Sequence, residues 1–201
     1  MRAQPPDDSE AARRAGGEHP GIADCSLRGA FPVRRSARVA IQVASAIEAA
    51  HLEGVSHRDL KPSNILPLQR PRKPDFVKVL DFGAAKVLTG TGARALMAVG
   101  DTVGTPEYMS PEQASGLPVD ARSDLYALGL VLYEMLTAKT AFEGPTAVLV
   151  NQLTRPPPPM DPGLKIPAPL DSLVKRLLAK KVSERPASAG EVVELLEPFA
   201  K

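Results

Sequence analysis

Four residues in this chain have the types and the spacing to do chemistry together. Asp59 and Lys61 stand two residues apart, Asn64 follows three later, and Asp81 comes seventeen after that. A carboxylate such as Asp59 can accept the proton of a hydroxyl, or orient that hydroxyl for attack. Lys61 brings a positive charge close to the same place. Asn64 offers a neutral oxygen and Asp81 a charged one, the ligand types that a hard divalent cation takes. Taken singly, each acid is a solvated loop carboxylate. The order and spacing of the set carry the weight.

The flanking residues extend the pattern. Asp59 lies within His57-Arg58-Asp59-Leu60-Lys61-Pro62-Ser63-Asn64, and Asp81 opens Asp81-Phe82-Gly83. Thr105 belongs to Gly104-Thr105-Pro106-Glu107-Tyr108-Met109-Ser110-Pro111-Glu112. Together these resemble the catalytic loop, the metal-binding Asp-Phe-Gly and the end of the activation segment of the protein kinase family. The resemblance covers roughly residues 31–201 and is to bacterial members of the serine/threonine kinases. It implies a kinase C-terminal lobe: α+β, mainly α, with a short β-hairpin at the catalytic loop.

The resemblance also implies an activity, transfer of the ATP γ-phosphate to Ser or Thr hydroxyls of a protein substrate, with ATP and Mg²⁺ as cofactors. Such transfer relies on positioning and on fixed charge near the moving group. Asp59 would handle the substrate hydroxyl, Lys61 would face the γ-phosphate, and Asn64 and Asp81 would hold the metal. Thr105 would bridge Asp59 and Lys61. Lys61 and Thr105 together imply Ser/Thr rather than Tyr substrates. Arg58 would grip a phosphate on the activation segment, with Thr89, Thr91 and Thr102 as candidate acceptors. Glu112 and Arg185 resemble the family's buried ion pair. Asp124 resembles the acid that accepts backbone hydrogen bonds from the catalytic loop. His57 and Phe82 look like packed spine residues.

Part of the pattern is absent. No glycine-rich loop precedes His57, and no lysine occurs before Lys61. Residues 1–30 read as a flexible arm; alternatively, Glu10 with His19-Pro20-Gly21-Ile22 is a remnant of the kinase helix C of a truncated upper lobe. Residues 31–201 form the C-lobe. The chain alone is therefore expected to be a weak or inactive kinase. Three accounts stay open: recent truncation or a gene start that omits the upper lobe, a separate chain that supplies the missing lobe, or a non-catalytic, pseudokinase-like interaction module.

The elements that must position these residues follow from periodicity. Residues 34–54 read as a helix, with Val39, Val43, Ala46, Ile47 and Ala50 at three- and four-residue steps and Gly54 just past its end. The Val39-Ala40-Ile41-Gln42 string inside it is not the kinase Val-Ala-Ile-Lys strand, because it lies in a helical pattern and has Gln for Lys. Ile65–Leu68 and Phe76–Leu80 suit a hairpin that presents Asn64 and Asp81, with Pro67 demanding an edge or a bulge. Residues 84–103 read as a loop, and Gly90-Thr91-Gly92 within it as plain loop residues. Residues 122–138 are apolar nearly all round, which marks a buried helix, with Gly129 allowing close packing. Further helices are expected at 146–153, 170–181 and 189–199, and Pro156–Pro159 as an extended connector.

Composition narrows the classes. The chain has 201 residues, 43% hydrophobic, enough for one domain with a core. Net charge of +2 gives no argument for nucleic acid or an anionic membrane. Cys25 is the single cysteine, so no internal disulfide framework exists. The three histidines show no zinc-ligand spacing. No nucleophile-elbow motif supports a Ser-His-Asp hydrolase. No apolar run approaches the ~18 residues a bilayer span needs, and no signal peptide opens the chain, so the cytoplasm is the expected location.

Overall fold

The computed structural model describes residues 22, 29–71, 73–82, 106–142 and 147–201. The described residues form a mainly helical α+β unit with one two-stranded sheet. The helices are α1 (Val33–Leu52), α2 (Pro111–Ala114), α3 (Ala121–Thr137), α4 (Ala147–Thr154), α5 (Ala168–Leu177) and α6 (Ala189–Leu196). The strands are β1 (Ile65–Pro67) and β2 (Val77–Val79).

Helix α3 is the centre of the lobe. Thirteen of its 17 residues are buried, so no face is left for solvent. It starts at Asp120, whose side chain accepts from the Arg122 N–H at 2.8 Å. It packs on α1 along one side and on α5 along another. Gly129 makes the second contact possible: a Cβ there would lie 2.8 Å from the Leu177 Cβ and 3.0 Å from Leu178 Cδ2. Gly129→Ala should therefore lower stability by a net ~0–2 kcal/mol, since overpacking of ~1–3 kcal/mol is set against ~1 kcal/mol of regained helix propensity. A urea melt in which the alanine variant is more stable would refute this close-packing account.

Helix α1 buries Ala37, Val39, Ala40, Val43, Ala44 and Ile47 against α3 and α6. Glu53 and Gly54 end it. Gly54 takes φ 74°, a left-handed conformation open to glycine, and its N–H reaches the His51 carbonyl at 2.9 Å. The Val39–Gln42 string is helical, and Gln42 ties α1 to the hairpin. Its Nε2 donates to the Asp75 carbonyl at 2.8 Å, and its Oε1 accepts from the Val77 N–H at 3.1 Å.

The hairpin pairs antiparallel, with Ile65 opposite Val79 and Pro67 opposite Val77. Leu80 N–H donates to the Asn64 carbonyl, and Leu68 N–H to the Phe76 carbonyl, each at 2.8 Å. Bonded pairs alternate along such a ladder, so Pro67 falls at a non-bonded position where no N–H is required. The expected awkwardness of Pro67 is resolved by register, without a bulge.

The first thirty residues are not uniformly an unpacked arm. Ile22 is 3% exposed and joins the core, and its N–H donates to the Ile65 carbonyl at 3.0 Å. The other residues of the helix C reading, Glu10, His19, Pro20 and Gly21, lie outside the described residues. Phe31, buried at the entrance to α1, donates its N–H to the Met135 carbonyl at 2.7 Å. Among the described residues no helix is long and apolar enough to cross a membrane.

Candidate active site

The turn after α1 folds inward because Asp124 holds it. Asp124, 1% exposed, sits in the first turn of α3. Its Oδ2 accepts from the His57 N–H, and its Oδ1 from the Arg58 N–H, each at 2.8 Å. His51 Nε2 meets the same Oδ2 at 2.8 Å; since a carboxylate in this network only accepts, His51 carries its hydrogen there. Arg58 is thereby fixed at φ 64°, a strained conformation for a side chain with a Cβ. The Arg58 carbonyl accepts from Gln113 Nε2 at 2.8 Å.

His57 is fully buried. Its Nδ1 accepts from the Asp59 N–H at 3.3 Å, so its Nε2 donates to the Leu80 carbonyl at 2.8 Å. One imidazole thus joins the loop to the end of β2, as a packed connector. Phe82 stands edge-on to it, ring centroids 4.9 Å apart. Phe82 is nevertheless 37% exposed, so it is not fully packed as the spine reading requires.

The reactive groups then come together. Lys61 Nζ lies 3.0 Å from Asp59 Oδ2. Asn64 Nδ2 donates to the Asp59 carbonyl at 2.8 Å and lies 3.4 Å from Asp59 Oδ2. A 3₁₀ turn at Pro62–Asn64 brings Asn64 back toward Asp59, closed by Asn64 N–H to the Lys61 carbonyl at 3.0 Å. Asp81 follows Leu80, whose N–H donates to the Asn64 carbonyl just past β2, and stands at φ 59° and exposed. Thr105 lies outside the described residues, as do Gly83, Thr89, Thr91 and Thr102, so the bridge expected from Thr105 is not described.

The donor set suits a hard cation. The Asn64 nitrogen is taken by Asp59, which leaves its oxygen as acceptor; no described residue donates to it. Asp81 has no ion-pair partner among the described residues. No cluster of three or more His, Cys, Asp or Glu placed to hold a metal occurs among them. Two protein oxygens with the remaining positions left to water and phosphate fit Mg²⁺. An open cleft of about 570 Å³ lies elsewhere, lined by Tyr133, Phe142, Asn151 and the Pro156–Pro159 connector among others. It holds none of the His57–Asn64 residues and is not this site.

Below the loop, α2 is anchored by a buried ion pair. Arg185 NH1 and NH2 meet Glu112 Oε1 and Oε2 at 2.7 and 2.8 Å, and Ser123 Oγ donates to Glu112 Oε1. Burial alone would raise the Glu112 pKa; the hydrogen bonds and charge of Arg185, with Ser123, outweigh it and hold the carboxyl down at about 2.

The family model described as "Protein kinase domain" matches residues 19–196. The chain belongs to the protein kinase family. Among curated kinases, serine/threonine-protein kinase pkn3 of Myxococcus xanthus is 48% identical over 161 residues, 77% of this chain and 29% of that protein. The probable serine/threonine-protein kinase PknB of Bifidobacterium longum is 41% identical over 170 residues, 82% of this chain and 24% of that protein. The chain thus spans under a third of the length of these kinase relatives. Two polar contacts of this kinase lobe escape the motifs. His51 left no signal beyond its place in the last turn of α1. Gln113 was within reach, because Ser110-x-x-Gln113 is a capping-box spacing and both bonds of the box are present.

Proposed function

We propose that this chain forms the lower half of a protein serine/threonine kinase site, serving transfer of the ATP γ-phosphate to a Ser or Thr hydroxyl of a protein substrate. The observation that carries this reading is the Asp59–Lys61 contact at 3.0 Å, with Asn64 clamped on the Asp59 backbone. Asp59 receives or orients the hydroxyl proton. Lys61 places its charge at the transferring phosphate. Asn64 and Asp81 hold Mg²⁺ through their oxygens, and Thr105 completes the link between Asp59 and Lys61. Mg·ATP supplies the phosphoryl group and neutralises its charge when bound. With ATP as the donor, the cytoplasm is the compartment this reading implies.

A second reading is favoured by one sequence fact: the 201 residues contain no lysine before Lys61 to pair with the nucleotide from above. These 201 residues by themselves then act as an interaction module, or as half of a site whose upper part lies outside them. Thermal shift with Mg·ATP separates the readings. We expect a weak, saturable, Mg²⁺-dependent stabilisation that Asp81→Asn removes; Asn tolerates the left-handed backbone there, so the charge alone is tested. No shift from a cooperatively melting protein would favour the module. Phosphotransfer by the pure chain is expected to stay at background. Turnover that Asp59→Ala abolishes would overturn that expectation.

A further inference from the structure

A buried polar chain runs from the rear of the lobe to Glu107, and the catalytic-loop chemistry does not use it. Lys180 Nζ donates to the Tyr126 hydroxyl at 2.9 Å. That hydroxyl donates to Gln152 Oε1 at 2.5 Å. Gln152 Nε2 donates to the Glu107 carbonyl at 2.8 Å. Tyr126 and Gln152 are each 0% exposed. The polarity is forced: an ammonium only donates and a carbonyl only accepts, so Gln152 must turn its nitrogen to Glu107 and its oxygen to Tyr126.

Among the described residues Lys180 has no carboxylate partner. Its ammonium lies 4.4 Å from the Phe142 ring centre and 5.3 Å from that of Tyr126, while the Arg185 guanidinium lies 4.9 Å from the latter. Burial, and then repulsion from Arg185, bring the Lys180 pKa down to about 8.

The far end of the chain matters for the site. Glu107 stands in the 3₁₀ turn Pro106–Tyr108, directly after Thr105. Three residues beyond Glu107, Ser110 caps α2, whose Gln113 holds the Arg58 carbonyl beside Asp59. No residue of the turn is fully buried, and Tyr108 packs part-buried against the core. Among the described residues two side-chain hydrogen bonds tether it, Gln152 on the Glu107 carbonyl and the Tyr108 hydroxyl on Glu134 at 2.5 Å.

We propose that Gln152 is a positioning residue for the protein substrate. It fixes the Glu107 carbonyl, and with it the surface of Pro106–Tyr108 beside the catalytic loop, at the end of a polarised chain anchored on Lys180. What that surface receives rests on the kinase reading above; the tether does not.

Gln152→Glu in the full chain tests it, because the size and the acceptor for Tyr126 remain while the donor to Glu107 is lost. Two readouts are needed: amide hydrogen exchange, and affinity for a degenerate peptide pool with one central Ser or Thr. Exchange at Glu107–Met109 should accelerate at least ~10-fold, the size of one lost buried hydrogen bond, with amides in the middle of α3 unchanged. Peptide affinity should fall by about the same factor. Lys180→Met, at the remote end, should accelerate the same amides by a smaller factor of ~3. Unchanged exchange at Glu107–Met109, or acceleration spread evenly through α3, overturns the tether. Accelerated exchange with unchanged peptide affinity overturns the substrate role. A native chain that binds no peptide sinks the kinase reading along with the substrate role, while exchange still decides whether Gln152 sets the turn.

Discussion

Replacing Arg185 with alanine is expected to destabilise the lobe by ~3–5 kcal/mol, because it strands the buried charge of Glu112. Arg185 is 3% exposed and Glu112 5%. The guanidinium does more than pair. Its Nε donates to the Ala179 carbonyl at 2.9 Å and its NH1 to the Arg122 carbonyl at 3.0 Å. It therefore joins α2, the start of α3 and the segment after α5. Arg185→Lys should recover only part of the loss, since an ammonium cannot reproduce the bidentate fork. Arg185→Met with Glu112→Leu should cost far less than Arg185→Ala, because no charge is left unpaired. Equilibrium urea unfolding of the three variants reads all of this. An Arg185→Ala variant within ~1 kcal/mol of the native chain would remove the ion pair from any structural role.

The same pair sets an acid limit. The Glu112 pKa is lowered from 4.5 to about 2 in the folded chain. The unfolded chain takes up this proton first, so the stability Glu112 contributes is fully present above pH 4.5. It is lost as pH falls from there through about 2. In Arg185→Met with Glu112→Leu, that part of the acid dependence should vanish.

Asp124→Ala is expected to give the largest loss at the site itself. It leaves the buried N–H of His57 unpaired, at ~1–3 kcal/mol, leaves the part-buried N–H of Arg58 unpaired at a smaller cost, and removes the partner of His51 as well. The consequence reaches the chemistry. Without those bonds Arg58 has no reason to stay at φ 64°, and Asp59 follows it directly in the chain. Asp124→Asn should also fail, since one of its two positions would present N–H₂ to a backbone donor. Amide exchange at His57 and Arg58 should rise by ~100-fold or more relative to that at Leu128–Leu132. Equal protection of these two amides in the native and alanine proteins would show that Asp124 does not build the loop. Any Mg·ATP stabilisation should be lost with it, because Asn64 is clamped to the Asp59 carbonyl.

Much of this architecture is legible in the amino-acid sequence. Helix α1, with the Gly54 stop, and the all-apolar α3 are local patterns: side-chain period and glycine conformation act within a few residues. Gly129 stands out for the same reason, as a helix with no polar face has to meet a neighbour closely somewhere. The hairpin follows from two short apolar segments flanking a polar tip. Asp124 and the Glu112–Arg185 pair are legible only through the resemblance, since 67 residues separate His57 from Asp124 and 73 separate Glu112 from Arg185.

Tertiary structure alone decided the rest. Nothing local in Gln152 announces that it meets Glu107, 45 residues earlier, or Tyr126, 26 residues earlier. Nothing in Gln42 marks it as the acceptor for an N–H of β2, and the harmless placement of Pro67 depends on a register that only pairing sets. Ile22 sits in a stretch whose composition reads as an arm, yet its contact with Ile65 buries it. The physical reason is common to these cases. Apolar periodicity and turn chemistry are properties of neighbouring residues, so the sequence determined which helices and which loop this kinase lobe has. A buried polar group instead takes whatever partner the packed elements bring within about 3 Å, and that choice is made only when distant parts of the chain are already together.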